Sequence, residues 1–198
     1  MYLGKGGVRF MEQKNLELNR LKVQDMIQIA LMAALTYIAT AVINIPSGVV
    51  FKGVIHLGDS MVLLSAILLG KKKAFFSAAI GMALFDMLSP YAIWAPFTFF
   101  IKGIMAYIAG TIAYRNHYNG EKFLNNIVAF IAAGIWMIAA YYIAGVMLMH
   151  FVTNIQFSKA FILSAAEIPG NIAQSIAGAV IALILGRILK KANIIRNR

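Results

Sequence analysis

HLGDSMVLLSAILLGKKK, residues 56–73, places two ionisable side chains, His56 and Asp59, just ahead of an apolar run that stops at Gly70 and three lysines. Such a run reads as a membrane crossing whose basic end faces the cytoplasm. It is short: Leu57 to Gly70 is about fourteen residues, where a helix needs about 20 to cross a bilayer. The segment is therefore expected to extend into its flanks, tilt little, or be covered by the preceding stretch INIPSGVVFKGVIH, residues 43–56. That stretch is marked by Pro46, Gly48 and Gly53 and is too irregular to span. Irregular backbone is tolerated at membrane depth only where protein buries it or water reaches it. The loop Asn44–His56 is thus a candidate lid.

The rest of the chain supports the same class. Of 198 residues 61% are hydrophobic, and the mean hydropathy is +0.78. A soluble domain of this size has no use for so much apolar surface, so the chain is a polytopic membrane protein with no room for a separate catalytic domain. With no cysteine, disulfides and thiolate metal sites are excluded. The net charge of +11 could suggest nucleic acid, but the basic residues flank the apolar segments, as topology determinants do. Residues 1–10 are Gly-rich and basic without an apolar core, so they are not a signal peptide. Met11 offers an alternative start, and residues 1–10 are expected to be extraneous to the fold.

Six segments can be threaded: Val23–Ile43, Leu57–Gly70, Ala74–Leu88, Ala95–Tyr114, Phe123–His150 and Phe161–Arg187. Six crossings put both termini on one side. That side collects Lys5, Arg9, Lys14, Arg20, Lys22, Lys71, Lys72, Lys73, Arg115, Lys122, Arg187, Lys190, Lys191, Arg196 and Arg198, against Lys52 and Lys159 on the other. The termini are therefore expected in the cytoplasm. The expected fold is all-α and integral to the membrane: a basic tail over 1–22, a six-helix membrane domain over 23–191, a structured outer loop between helices one and two, and a basic tail over 192–198.

On this threading His56, Asp59, Asp86, Lys102 and Glu167 all fall in the outer half. Lys102 lies roughly 10 Å below the outer boundary at 1.5 Å per residue. Ionisable groups at this depth are costly and pair, face the protein interior, or line a pathway. The plain reading of Lys102 is a structural ion pair with Asp59 or Asp86. Glu167, Asn171 and Gln174 follow at i, i+4 and i+7 and share one helical face, with Pro169-Gly170 loosening the turn. Trp94 and Tyr91 suit an interfacial belt, whereas Trp136 lies mid-segment. An aromatic wall beside a few polar groups is the composition of a pocket for a flat heterocycle. His56 and His150 lack HxxH or HxxxH spacing and read as interfacial residues rather than metal ligands.

Three stretches carry a family resemblance: HLGDSMVLLSAILLGKK (His56–Lys72), FDMLSPY (Phe85–Tyr91) and WAPFTFFIKGIMAYIAG (Trp94–Gly110). The chain from Val23 to Lys191 resembles the substrate-binding S component of energy-coupling factor (ECF) transporters, in the riboflavin-type branch that includes hydroxymethylpyrimidine members. The resemblance implies high-affinity vitamin binding in an outward-facing pocket formed by the first loop and spans four to six. It implies partners, a transmembrane coupling subunit and two cytoplasmic ATPases, and a contact with the coupling subunit through an AxxxA pattern that matches Ala30 and Ala34. ATP would be used by those partners, with no cofactor of the chain's own.

The expected activity is binding and transport without covalent chemistry. Lys102, Glu167 and Asn171 are the expected hydrogen-bonding groups of the pocket, and Trp136 and Tyr141 its stacking or shape groups. Asp59, Asp86 and His56 are expected to support charge pairing. The roughly balanced charge favours a neutral or weakly ionised ligand: a hydroxymethylpyrimidine or pyridoxine-like ring before riboflavin or pantothenate. Two other readings stay open on residues alone. One is a small membrane enzyme using Asp59, Asp86 and Glu167 for acid/base or metal work, although no nucleophile motif, phosphate loop or HExxH accompanies them. The other is an autonomous proton-coupled carrier.

Overall fold

The computed structural model describes residues 5–47 and 53–192. Lys52, Arg196 and Arg198, counted in the charge asymmetry, lie outside the described residues, as does most of the 192–198 tail. The described chain builds α1 (Lys5–Val42), a hairpin of β1 (Asn44–Ser47) and β2 (Gly53–His56), then α2 (Gly58–Leu69), α3 (Lys71–Met87), α4 (Ala95–Ala113), α5 (Phe123–Phe151), α6 (Phe157–Ala165) and α7 (Ile168–Lys191). A turn of 3-10 helix, Ala92–Trp94, leads into α4.

The short α2 is the axle of the bundle. It packs against α1, α3, α4 and α7, and every residue from Gly58 to Leu68 except Met61 is buried. A helix apolar on all sides belongs inside protein rather than at its surface. Its 12 residues rise about 18 Å, enough for a helix ringed by longer neighbours. Around it the outer helices turn ridges of large apolar residues outward, such as Leu31, Leu35 and Ile38 on α1 and Ile176, Val180, Ile184 and Ile188 on α7. Among the described residues, four helical stretches, 22–42, 92–113, 123–151 and 157–191, are long and apolar enough to cross a membrane. The protein is an integral membrane protein.

The loop Asn44–His56 holds an antiparallel pair, with Asn44 opposite His56 and Ser47 opposite Gly53. This hairpin marks one end of the bundle, the hairpin end; the other carries Lys71–Lys73. At that far end α2 and α3 are joined by Gly70 alone, at φ +75° and ψ +171°. That conformation is essentially open to glycine only, and it lets α3 begin at Lys71, three residues earlier than the apolar pattern indicates.

Two further boundaries differ from the sequence reading. The basic stretch expected as a separate tail over 1–22 is continuous with the first span, since α1 runs unbroken from Lys5 to Val42. The segment expected as one helix from Phe161 to Arg187 is divided into α6 and α7 at Ala166-Glu167, where Glu167 N–H bonds Ser164 O at 3.2 Å in a tightened turn. Pro169 explains the break: it lacks an N–H, and its ring excludes the carbonyl four residues back, that of Ala165.

Close helix approach rests on small residues. Gly81 of α3 lies against the α1 backbone, where an added Cβ would meet Ala33 O at 2.5 Å and Thr36 Cβ at 2.9 Å. Gly81→Ala is expected to force α1 and α3 apart and destabilise by about 1–3 kcal/mol, the usual range for overpacking. Thermal unfolding in detergent would show this as a lowered midpoint, while Ile80→Ala, at a position 44% exposed, should leave it nearly unchanged.

Candidate functional site at the hairpin end

The first turn of α2 organises this end. Gly58 N–H, a free amide of the helix start, donates to His56 Nδ1 at 3.1 Å. An imidazole nitrogen that accepts carries no proton, so His56 is neutral, with any ring proton on Nε2. Asp59 follows in the same first turn, where the helix dipole favours a carboxylate. On α4 the buried stripe runs Thr98, Lys102, Met105, Ala106, Ala109, a helical spacing that drives Lys102 inward with its neighbours.

Lys102 and Asp59 are both 0% exposed and meet at 2.5 Å, Nζ to Oδ1. The ammonium also lies 3.0 Å from Met137 Sδ and 5.1 Å from the centre of the Tyr141 ring. The other carboxylate oxygen, Asp59 Oδ2, accepts from Gln174 Nε2 at 2.9 Å, and Gln174 Oε1 accepts from His56 N–H at 3.2 Å. One polar chain thus joins α2, α4, α5, α7 and the hairpin. Gly178, one turn after Gln174, allows the contact: a Cβ there would stand 2.9 Å from Asp59 Cβ.

Beside this chain lies a second, aromatic layer. Thr98 Oγ1 and Tyr141 Oη are 3.2 Å apart, and the Thr98 hydroxyl also faces the buried Asp86 carboxyl. Trp94 leans on Tyr141 with ring centres 5.9 Å apart, and Tyr91 stacks on Phe85 at 6.3 Å. Trp136 Nε1 donates to Ile101 O at 3.1 Å. Its ring forms part of an apolar cavity of about 490 Å³ between α4 and α5, walled also by Pro96, Phe97, Phe100, Ile104 and Ile143. Lys102, Asp59 and Gln174 are not on its walls, so this lateral groove and the polar chain are separate features.

The expected site residues therefore fall into distinct places. Asp59 and Lys102 pair with each other, and His56 caps α2. The Lys102 ammonium is wholly buried and engaged by Asp59 and Met137. Asp86 meets Thr98 and not the Lys102 ammonium directly. Tyr141 and Trp94 come together, while Trp136 borders the lateral groove. Glu167 is the half-buried N-cap of α7, and its carbonyl accepts from half-buried Asn171 N–H at 3.0 Å. Thr98, Met137 and Gly178 were not singled out from sequence. Thr98 stands four residues before Lys102 and Gly178 four after Gln174, so helical spacing from those two polar residues is the signal that finds them.

Breaking a buried ion pair strands a charge at a cost of about 3–5 kcal/mol. Asp59→Asn and Lys102→Met are each expected to lower the unfolding midpoint strongly. The Asp59→Asn/Lys102→Met double variant, with no charge left to strand, should lie well above the sum of the two losses. Simple additivity in thermal unfolding of the four proteins would mean the two groups are not coupled.

The profile of the family "ECF-type riboflavin transporter, S component" matches residues 20–191. An uncharacterised protein of Pyrococcus woesei is 30% identical over 145 residues, covering 71% of this chain and 84% of that one. Among solved structures, the S component of a bacterial ECF transporter superposes with a TM-score of 0.59 at 20% identity, covering 87% of this chain and 98% of the other. The S component for biotin from an ECF-type ABC transporter gives 0.56 at 20% identity, covering 84% and 93%. At that identity the two structures speak for the fold alone. They place the chain among transporter subunits rather than enzymes only together with the family profile, whose match spans nearly the whole membrane domain. By that match, the chain belongs to the S components of ECF-type transporters, in the riboflavin-transporter family.

Proposed function

We propose that this S component captures a small vitamin or vitamin precursor at the outer face of the cell membrane and passes it inward together with a transmembrane coupling subunit and two ATPases. The observation that carries this reading is the family match over residues 20–191. In this reading the chain crosses six times with both termini in the cytoplasm, as the basic residues at the Lys71–Lys73 end support. The shortest crossing, α2, is shielded by its neighbours.

The cargo proposed is a flat nitrogen heterocycle, a hydroxymethylpyrimidine or pyridoxine-like ring before riboflavin or pantothenate. Asp59 and Lys102 neutralise each other, so no net charge from this pair is offered to a ligand. Glu167 and Asn171 then supply hydrogen bonds, and Tyr141 and Trp136 supply flat walls. Lys102 acts mainly from behind the Tyr141 ring. Ala30 and Ala34 form the contact with the coupling subunit. This is supported by their exposure on the free face of α1, opposite buried Met32, Ala33, Thr36 and Thr40.

Native mass spectrometry of the detergent-purified chain should reveal one co-purifying heterocycle. Thermal-shift titration with a panel including riboflavin, biotin, pyridoxine, pantothenate and hydroxymethylpyrimidine should then show a selective rise in midpoint. Glu167→Gln and Asn171→Ala are expected to weaken that ligand about ten-fold or more, a hydrogen bond being worth about 0.5–3 kcal/mol; unchanged affinity in both removes them from the site. Ala34→Leu should leave the thermal shift intact and abolish co-purification with the coupling subunit. A chain indifferent to the whole panel would count against the vitamin reading.

A further inference from the structure

A two-stranded hairpin is at best marginally stable alone, so something must seat the pair Asn44–Ser47 and Gly53–His56. Leu57 N–H reaches back to Ile43 O at 3.4 Å, and the His56 ring tilts against Phe85 with centres 6.4 Å apart. A further tie comes from α7. His56 N–H, the last amide of β2, bonds Gln174 Oε1 at 3.2 Å, so α7 supplies an acceptor to β2 from outside the hairpin.

The orientation of that acceptor is dictated by the ion pair. A carboxylate only accepts hydrogen bonds, so Gln174 must turn its NH₂ toward Asp59 Oδ2, which it meets at 2.9 Å. Its carbonyl is then left facing β2. With the amide reversed, oxygen would face oxygen at Asp59 and NH₂ would face N–H at His56. Gln174 is only 4% exposed, which leaves little room for water to replace either bond. Gln174 thereby links the hairpin to a charge held in place by α4 through Lys102.

We propose that Gln174 is the positioning residue of the hairpin: its carboxamide reads the fixed orientation of the Asp59–Lys102 pair and holds β2 in register over the outer mouth of the site. The consequence for cargo capture rests on the function proposed above; the seating of the hairpin does not.

The test uses the full chain in nanodiscs and needs no ligand. Hydrogen–deuterium exchange should show the amides of Gly53–His56 protected in the wild type. In Gln174→Met, which keeps the side-chain length and loses both bonds, exchange in that segment should speed at least ten-fold while α3 and α4 stay as slow as before. The absence of cysteine allows a second readout, a spin-label pair at Ser47→Cys and Phe151→Cys. Its distance distribution should be narrow in the wild-type background and broad with Gln174→Met. Gln174→Glu keeps an acceptor for His56 but sets a second carboxyl against Asp59, and should also loosen β2. Unchanged β2 exchange and unchanged distances in Gln174→Met overturn the proposal. Should that variant not fold, wild-type β2 amides exchanging as fast as an unstructured peptide overturn it equally. A chain that binds none of the vitamins yet loses hairpin order on Gln174→Met removes the cargo reading and leaves this inference standing.

Discussion

A lysine ammonium and an aspartate carboxylate, both wholly out of contact with solvent, impose the main constraint on this bundle. Moving either ion alone out of water costs several kcal/mol even after relaxation, and their mutual attraction compensates only with good geometry and the remaining bonding positions filled. Here those positions are filled. The carboxylate accepts from Lys102 and Gln174, and the ammonium meets a carboxylate oxygen, a thioether sulfur and an aromatic face. These partners come from four helices: Asp59 from α2, Lys102 from α4, Met137 and Tyr141 from α5, and Gln174 from α7. The geometry that makes the charges tolerable is therefore the same geometry that fixes α2, α4, α5 and α7 relative to one another.

That constraint matters more in lipid than in water. Lipid tails are as apolar as leucine, so helices in a bilayer gain no hydrophobic drive to associate and rely on close packing and polar ties. The packing part is visible along α7, where Gln174, Gly178, Ala182 and Gly186 recur every four residues and are all buried. This stripe lies on α2, with Gly178 against Asp59 and Gly186 against Ile67 and Leu64. The small residues bring the backbones close, and closeness brings Gln174 within reach of Asp59. Small-residue packing and the polar tie are thus one arrangement seen at two positions.

Much of this was legible because charge is rare in the chain. In a background that is 61% hydrophobic, Lys102 and Asp59 stand out, and the expense of burying either alone leads directly to pairing. The apolar run after Asp59 and the lysines after Gly70 likewise mark α2 to within a residue at each end. The hairpin was less legible, since Pro46 and the glycines around it signal irregular backbone, and a four-residue strand carries too few side chains for a period of two to show. The α6–α7 division was present in Pro169 but masked by continuous hydropathy on both sides. The place of Gln174 was hidden for another reason. Its partners are 115 residues away on Asp59 and 118 away on a backbone amide, and a backbone amide leaves no trace in a sequence pattern.

The neutrality of the inner pair also bears on recognition. Because the two charges cancel within hydrogen-bonding distance, their field falls off as that of a dipole, and the low-dielectric interior strengthens the pair more than anything further away. Thr98 and Tyr141, linked at 3.2 Å, sit next to this dipole with hydroxyls that donate or accept by rotation. An assembly of that kind offers a neighbouring molecule shape and hydrogen bonds rather than net charge. The ion pair ties the helices together, and the aromatic and hydroxyl layer packs beside it without taking part in the charge pairing.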